Sequence, residues 1–127
     1  MPRRFKDHVL ASIRDGKILG IKAGARPHRT IGIWAVVVGG RVFVRSWDVK
    51  DGGWYRTLLH EPFGTMEVSG RKIAVRAVRT RSERLKAAVD AAYAAKYTTP
   101  ASLKYVRGFR RPARRDTTTE LVPRQSS

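Results

Sequence analysis

The sequence predicts a mainly β chain of the α+β class, an antiparallel barrel with flanking helices. Three observations carry that expectation. Two pairs of strand-like segments are joined by tight turns at Gly39-Gly40 and Ser69-Gly70, which suits hairpins and leaves no spacing for βαβ crossovers. Residues 41–47, RVFVRSW, alternate strictly: Val42, Val44 and Ser46 fall on one face, and Arg41, Phe43, Arg45 and Trp47 on the other. The two clearest helical patterns lie before and after the strand-rich stretch, so helices flank a sheet rather than alternate with its strands.

The elements follow in order. Phe5, Val9 and Ile13 recur every four residues with Leu10 beside Val9, which predicts an amphipathic helix over 3–14 closed by Asp15-Gly16 and suited to cover an open end of a sheet. Residues 17–25 alternate weakly, with Leu19, Ile21 and Ala23 on one face, before Gly24-Ala25-Arg26-Pro27 breaks the strand. Residues 30–38 form the strongest strand, and the apolar run implies burial on both faces. The stretch 53–61 suits a short helix stopped by Pro62. Segments 64–69 and 71–78 form the second hairpin, with Ile73, Val75 and Ala77 facing one way. Ser82 is an N-cap for a helix over 82–97 whose stripe is Leu85, Val89, Ala92, Tyr93 and Lys96. Residues 98–116 carry Pro100, Gly108, Pro112 and many arginines without a period and read as a basic loop. Thr117 to Val122 is a last, edge strand. The organisation is an N-terminal helix within 1–16, a barrel domain over 17–123 and a polar tail over 124–127.

At 127 residues the chain is long enough to bury a core without staples. Cysteine is absent, which removes disulfides and thiolate chemistry. His8, His28 and His60 are scattered without ligand spacing, so no metal site is expected. The basic N-terminus lacks the continuous apolar region of a signal peptide. The longest strongly apolar run, 33–38, is too short to span a bilayer. The expectation is a cytoplasmic protein with no membrane contact. A formal charge of +17 favours an anionic partner and by itself allows three: nucleic acid, an anionic membrane, or a small phosphorylated ligand.

The sharpest functional clue is the polar loop after the alternating strand. Arg45, Ser46, Lys50, Gly52 and Gly53 gather between a strand end and the helix that starts near Trp54. Cationic side chains, a hydroxyl and free backbone N–H groups are the parts that hold a phosphate. Arg29 stands on an adjacent strand and adds a fourth polar side chain. Trp34, Trp47, Trp54 and Tyr55 supply aromatic surface for either core packing or ring stacking.

The stretches 24–30 (GARPHRT), 40–46 (GRVFVRS), 53–58 (GWYRTL), 68–72 (VSGRK), 91–97 (AAYAAKY) and 117–124 (TTTELVPR) resemble the flavin- and deazaflavin-binding split β-barrel superfamily, FMN-binding-like in fold. The likeness is closest to an uncharacterised bacterial family of small proteins that looks like a relative of the deazaflavin-dependent nitroreductases. The resemblance implies a homodimer with FMN or a deazaflavin near the subunit interface, and hydride transfer from that cofactor to a small organic substrate. By similarity, Arg29 and Thr30 approach the cofactor, Arg45, Ser46 and Lys50 face its phosphate, and Gly53, Trp54 and Tyr55 open the helix that abuts the ring. Trp54 and Tyr93 are the candidate substrate-pocket residues.

Two other readings stay open. Residues 104–115, KYVRGFRRPARR, interleave rings with cations: Lys104, Tyr105, Arg107, Phe109, Arg110, Arg111, Arg114 and Arg115 could bind single-stranded nucleic acid from a non-catalytic barrel. A barrel without cofactor, serving as a structural or regulatory subunit, is the third.

Overall fold

A stretch that hydrogen-bonds to two different neighbours must bend between them, and that constraint organises the computed structural model, which describes residues 4–24, 29–48 and 53–124. Helix α1 (Asp7–Asp15) leads into β1 (Leu19–Ala23), β2 (Ile31–Ile33), β3 (Ala35–Val38) and β4 (Arg41–Val44). Helix α2 (Trp54–His60) precedes the hairpin β5 (Phe63–Val68) and β6 (Arg71–Arg79). Helices α3 (Glu83–Lys96), α4 (Pro100–Gly108) and α5 (Pro112–Arg115) lead to β7 (Thr119–Pro123). The seven strands form one antiparallel sheet in the order β2-β1-β5-β6-β7-β4-β3. Its two outermost strands, β2 and β3, are consecutive in the chain and separated only by Trp34, so the sheet curls into a nearly closed barrel.

Three expectations need correction. The single strand over 30–38 is two: β2 pairs with β1 and β3 with β4, and the chain changes neighbour at Trp34. It is not buried on both faces throughout, because Ile31 and Gly32 are exposed on the outermost strand. The last strand is not an edge but lies between β6 and β4, where the nine-residue β6 offers a full hydrogen-bonding edge. Residues 98–116 are not a loop but carry two short helices. Their prolines start helices rather than break them: Pro100 follows the cap Thr99, whose hydroxyl accepts from the Ser102 amide, and Pro112 opens α5.

The barrel interior is filled by Leu19, Ile21, Val42, Val44, Met66, Val75 and Leu121, and α1 covers one end with Val9, Leu10 and Ile13. A second core lies outside the sheet, where Val36 and Phe43 meet Val89, Tyr93, Tyr97 and Val106 of α3, its end and α4. Both faces of β4 are therefore buried, which explains why Phe43 is as inaccessible as Val42. The Gly39-Gly40 turn has positive φ at both residues, 57° and 76°, as the twist of a two-residue hairpin demands. Lys96 ties the two cores together: its Nζ donates to the carbonyls of Ile13 at 2.8 Å and Ala35 at 2.6 Å. Burial, reinforced by Lys17, pushes that ammonium down to about 8.

Polar groups fasten α3 to the sheet. Arg45, immediately after β4, is 1% exposed. Its Nη1 reaches Asp90 Oδ1 at 2.6 Å and the Phe109 carbonyl at 3.1 Å, Nη2 the Lys86 carbonyl at 2.9 Å, and Nε the Thr118 hydroxyl at 2.8 Å. The same Asp90 accepts from Arg115 Nε at 3.0 Å, and Arg115 continues to Glu83 at 2.6 Å. Lys86 bridges Glu83 at 3.3 Å and Asp116 at 2.9 Å. The bond from Arg115, then that from Lys86, hold Glu83 below its ordinary value, and Lys86 does the same for Asp116.

Removing Arg45 leaves Asp90 with Arg115 alone and strands three oxygen acceptors under the surface. Arg45→Ala is expected to lower stability by about 3–5 kcal/mol in urea denaturation at neutral pH; an unchanged midpoint would mean that Asp90 finds its charge balance elsewhere. Because Glu83 and Asp116 ionise more readily in the folded chain than in the unfolded one, their contribution is complete above the ordinary carboxyl value of 4.5 and is lost as the pH falls below it. The melting temperature should therefore drop on acidification through that range, and less steeply in Glu83→Gln.

Candidate functional site

The break at Trp34 and the end of β4 at Val44 bring two chain segments to one side of the barrel, and α4 closes over them. Between them lies an open cleft of about 480 Å³. Its walls are aromatic: Trp34, Trp47, Trp54, Tyr105 and Phe109, with Ile31, Gly32 and Ile33 of β2 on one side. Arg45, Ser46, Asp48 and Gly53 complete the lining.

Each wall is held from behind. Tyr97 stacks on Trp34 with ring centroids 3.9 Å apart and planes within 4°. The Trp34 carbonyl accepts from the Tyr93 hydroxyl at 3.0 Å, and the Tyr93 ring stacks on Phe109 at 5.2 Å. Burial pushes the Tyr93 phenol well above its ordinary range, so it stays a donor at any working pH. Trp47 meets Tyr105 at 5.1 Å and Phe109 at 5.4 Å, both edge-on. Arg114 lies 3.5 Å over its ring and donates from Nε to its carbonyl at 3.1 Å. Gly108 makes that arrangement fit: a Cβ there would come within 2.3 Å of the Trp47 ring.

Two of the residues assigned to a phosphate by sequence, Arg45 and Ser46, have partners inside the protein. Arg45 lines the cleft but spends four of its five N–H donors on internal acceptors. Ser46 is buried; its hydroxyl donates to the Asp48 carbonyl and its amide to Thr117 Oγ1 at 2.8 Å. Lys50 and Gly52 lie outside the described residues, as does His28. Arg29 and Thr30 are exposed ahead of β2 and are not among the lining residues. Gly53 and Trp54 do line the cleft, whereas Tyr55 is buried beside Trp54 at 6.1 Å. Tyr93 backs the wall rather than lining the pocket.

The segment 104–115 divides in the same way. Phe109 is buried and Tyr105 forms cleft wall, Arg114 is committed to Trp47, and Arg115 to Asp90 and Glu83. Lys104 sits over the Tyr105 ring at 5.0 Å, and Arg107, Arg110 and Arg111 are exposed. The alternation of rings and cations is thus that of an amphipathic helix. Leu103, Val106 and Phe109 recur at i, i+3, a signal obscured by the intervening arginines. Sequence reasoning missed Tyr105 and Phe109 as cleft residues and left Trp34 open between core packing and ring stacking, because each needs α4 to be folded onto β3 before it meets the others.

Aromatic walls with a single described carboxylate, Asp48, suit a flat, conjugated ligand held by stacking. No His–Asp or paired-carboxylate arrangement for acid–base work lines the cleft among the described residues. Among the same residues no helix is long and apolar enough to cross a membrane.

The chain belongs to a family described as "Uncharacterized protein conserved in bacteria (DUF2255)", whose model matches residues 9–121. No curated protein matches the sequence. Among solved structures, the fold is similar to that of the conserved hypothetical protein Rv2991 from Mycobacterium tuberculosis, with 13% identity and a TM-score of 0.61. The match covers 98% of this chain and 83% of that one, and at this identity the likeness is one of fold.

Gly108→Ala is expected to displace Trp47 from its place between Arg114 and Phe109. The overpacking should cost about 1–3 kcal/mol and alter the near-ultraviolet circular dichroism of the indoles. A variant with wild-type stability and an unchanged aromatic spectrum would show that Trp47 is not packed against α4.

Proposed function

We propose that the cleft holds the flat ring of a flavin or deazaflavin and that the barrel is an oxidoreductase scaffold presenting that ring to a small organic substrate. The observation that carries the reading is the convergence of five aromatic side chains on one open cleft at the seam of the barrel. The volume lies within the range of cofactor pockets. The sequence resemblance to the deazaflavin-dependent nitroreductases supports the same assignment, and the split-barrel architecture is compatible with it.

The residues present fit the ring better than the phosphate. Trp47 and Trp54 would flank the ring, and Trp34 and Phe109 would form the floor. Arg45 acts from behind, fixing the Phe109 carbonyl, as Tyr93 fixes that of Trp34; both set the walls before any ligand arrives. Arg114, beside Trp47, and Arg29, two residues before Ile31, are the described cations that could meet an anionic tail. The bound cofactor supplies the hydride chemistry, while the chain supplies position and excludes water. A homodimer belongs to this reading: Ile18 and Ile31 are exposed beside Gly32 of the cleft, where a second copy would cover them.

The test is a visible absorbance spectrum of the purified protein, followed by titration of FMN and of a deazaflavin cofactor read by tryptophan fluorescence at moderate salt. Saturable quenching at micromolar concentrations by one of them, weakened about two- to tenfold in Trp47→Leu, is the expected result; loss of one stacking partner is worth about 0.5–1.5 kcal/mol. Absence of saturable quenching by both would sink the assignment.

A further inference from the structure

The side of the barrel away from the helices carries a second surface that the cleft does not use. Inward-facing Leu19, Ile21, Met66, Val68, Val75 and Leu121 fix the alternation of β1, β5, β6 and β7. Their neighbours in sequence therefore face outward, and among these Phe63, Ala74 and Arg76 are exposed. Among the described residues no helix covers them.

The register shows what this face presents. Phe63 is directly opposite Arg76, Thr65 lies between Lys22 and Ala74, and the Arg124 amide bonds to the Ala74 carbonyl. The Arg124 guanidinium stands 4.5 Å over the Phe63 ring, which is 40% exposed. The middle of the face is floored by small side chains, Thr65 and Ala74, with Lys22 on one side and Arg124 on the other, three strand spacings or about 14 Å apart. The acids on the face are already matched: Glu67 pairs with Lys72 at 3.7 Å and Glu120 with Arg41 at 2.6 Å. Among the described residues, Lys22, Arg76 and Arg124 have no acidic partner within ion-pair distance. An uncompensated positive field thus surrounds one exposed aromatic ring on the outer wall of the barrel.

We infer that the outer face of β1, β5, β6 and β7 is a docking platform for single-stranded nucleic acid, with Lys22, Arg76 and Arg124 on the phosphates and Phe63 under a base. Charge complementarity selects this occupant. A second copy of the chain would set the same three cations against each other, whereas a polyanion releases counterions on meeting them. A base has a π-face for Phe63 whatever its identity, so the platform is tolerant of sequence. It also relocates nucleic-acid contact from residues 104–115, whose rings are occupied at the cleft.

A chain of charge +17 binds polyanions generically, so the experiment compares variants of equal charge. The probe is a fluorescein-labelled oligothymidylate of about twelve nucleotides, followed by anisotropy across a range of salt concentrations. The triple variant Lys22→Ser, Arg76→Ser, Arg124→Ser is set against Arg107→Ser, Arg110→Ser, Arg111→Ser, which removes three exposed cations from α4 and the turn after it. The platform triple should lose about tenfold or more relative to the control triple, and should flatten the slope of log K against log salt by about 2, the value for three phosphates on a single strand. Phe63→Ala should weaken binding about tenfold at unchanged salt slope, and Phe63→Leu serves if the alanine variant melts early. Equal losses from the two triples would overturn the inference, as would wild-type affinity in both Phe63 variants. So would a platform triple that changes only the sedimentation behaviour of the protein, which would mark the face as a contact between copies.

Discussion

A full positive charge lies beneath the surface at Arg45, and much of the molecule is arranged around satisfying it. A buried guanidinium without partners would cost several kcal/mol, so its acceptors have to arrive together. They come from separate places: Asp90 and the Lys86 carbonyl from α3, Thr118 from the entry to β7, and the Phe109 carbonyl from the end of α4. One side chain on the barrel wall thereby fixes where α3 lies, where the last strand begins and where α4 ends. An apolar residue of similar size would fill the same volume without dictating those positions, and that specificity is what the charge contributes.

The cleft follows from the same arrangement joined to the break at Trp34. Where the chain leaves β1 and turns to β4, the barrel cannot be fully zipped, and the indole at the break is shared between the second core and the open side. Tyr97 covers one of its faces. Phe109, placed by Arg45 and backed by Tyr93, supplies the adjoining wall. Structural and functional roles are therefore layered: the polar groups that a sequence reading assigns to a ligand hold the rings, and the rings face outward.

Much of the architecture was legible from sequence because it rests on local chemistry. Gly39-Gly40 and Ser69-Gly70 declare hairpins through the φ > 0 their turns require, Ser82 announces α3, and the alternation around Val42 and Val75 fixes which face is inside. What was not legible is what depends on distant pairing. Nothing near Thr119 says that it lies opposite both Val44 and Arg79. Nothing around Arg45 says that Asp90 awaits it, so a cation beside a hydroxyl and glycines reads as a phosphate cradle. The helices at 100–108 and 112–115 were hidden by prolines that act as first-turn residues and by arginines that interrupt the apolar stripe. The cleft was half visible: Trp47 and Trp54 flank the loop in sequence, whereas Trp34, Tyr105 and Phe109 join them only in space.

The position of β7 has a consequence for how the molecule comes into being. It is the last of the seven strands to be synthesised, yet it fills the gap between β6 and β4. Until it emerges, the nascent chain holds two separate ribbons, each with an unsatisfied backbone edge and an exposed apolar face, and Arg45 lacks the Thr118 hydroxyl. Such a topology holds back many of its long-range contacts until β7 is available, when closure of the whole barrel occurs at once. The interval before that closure is the chain's period of greatest vulnerability to misassembly, and the abundance of positive charge on its surface keeps neighbouring nascent chains apart while it lasts.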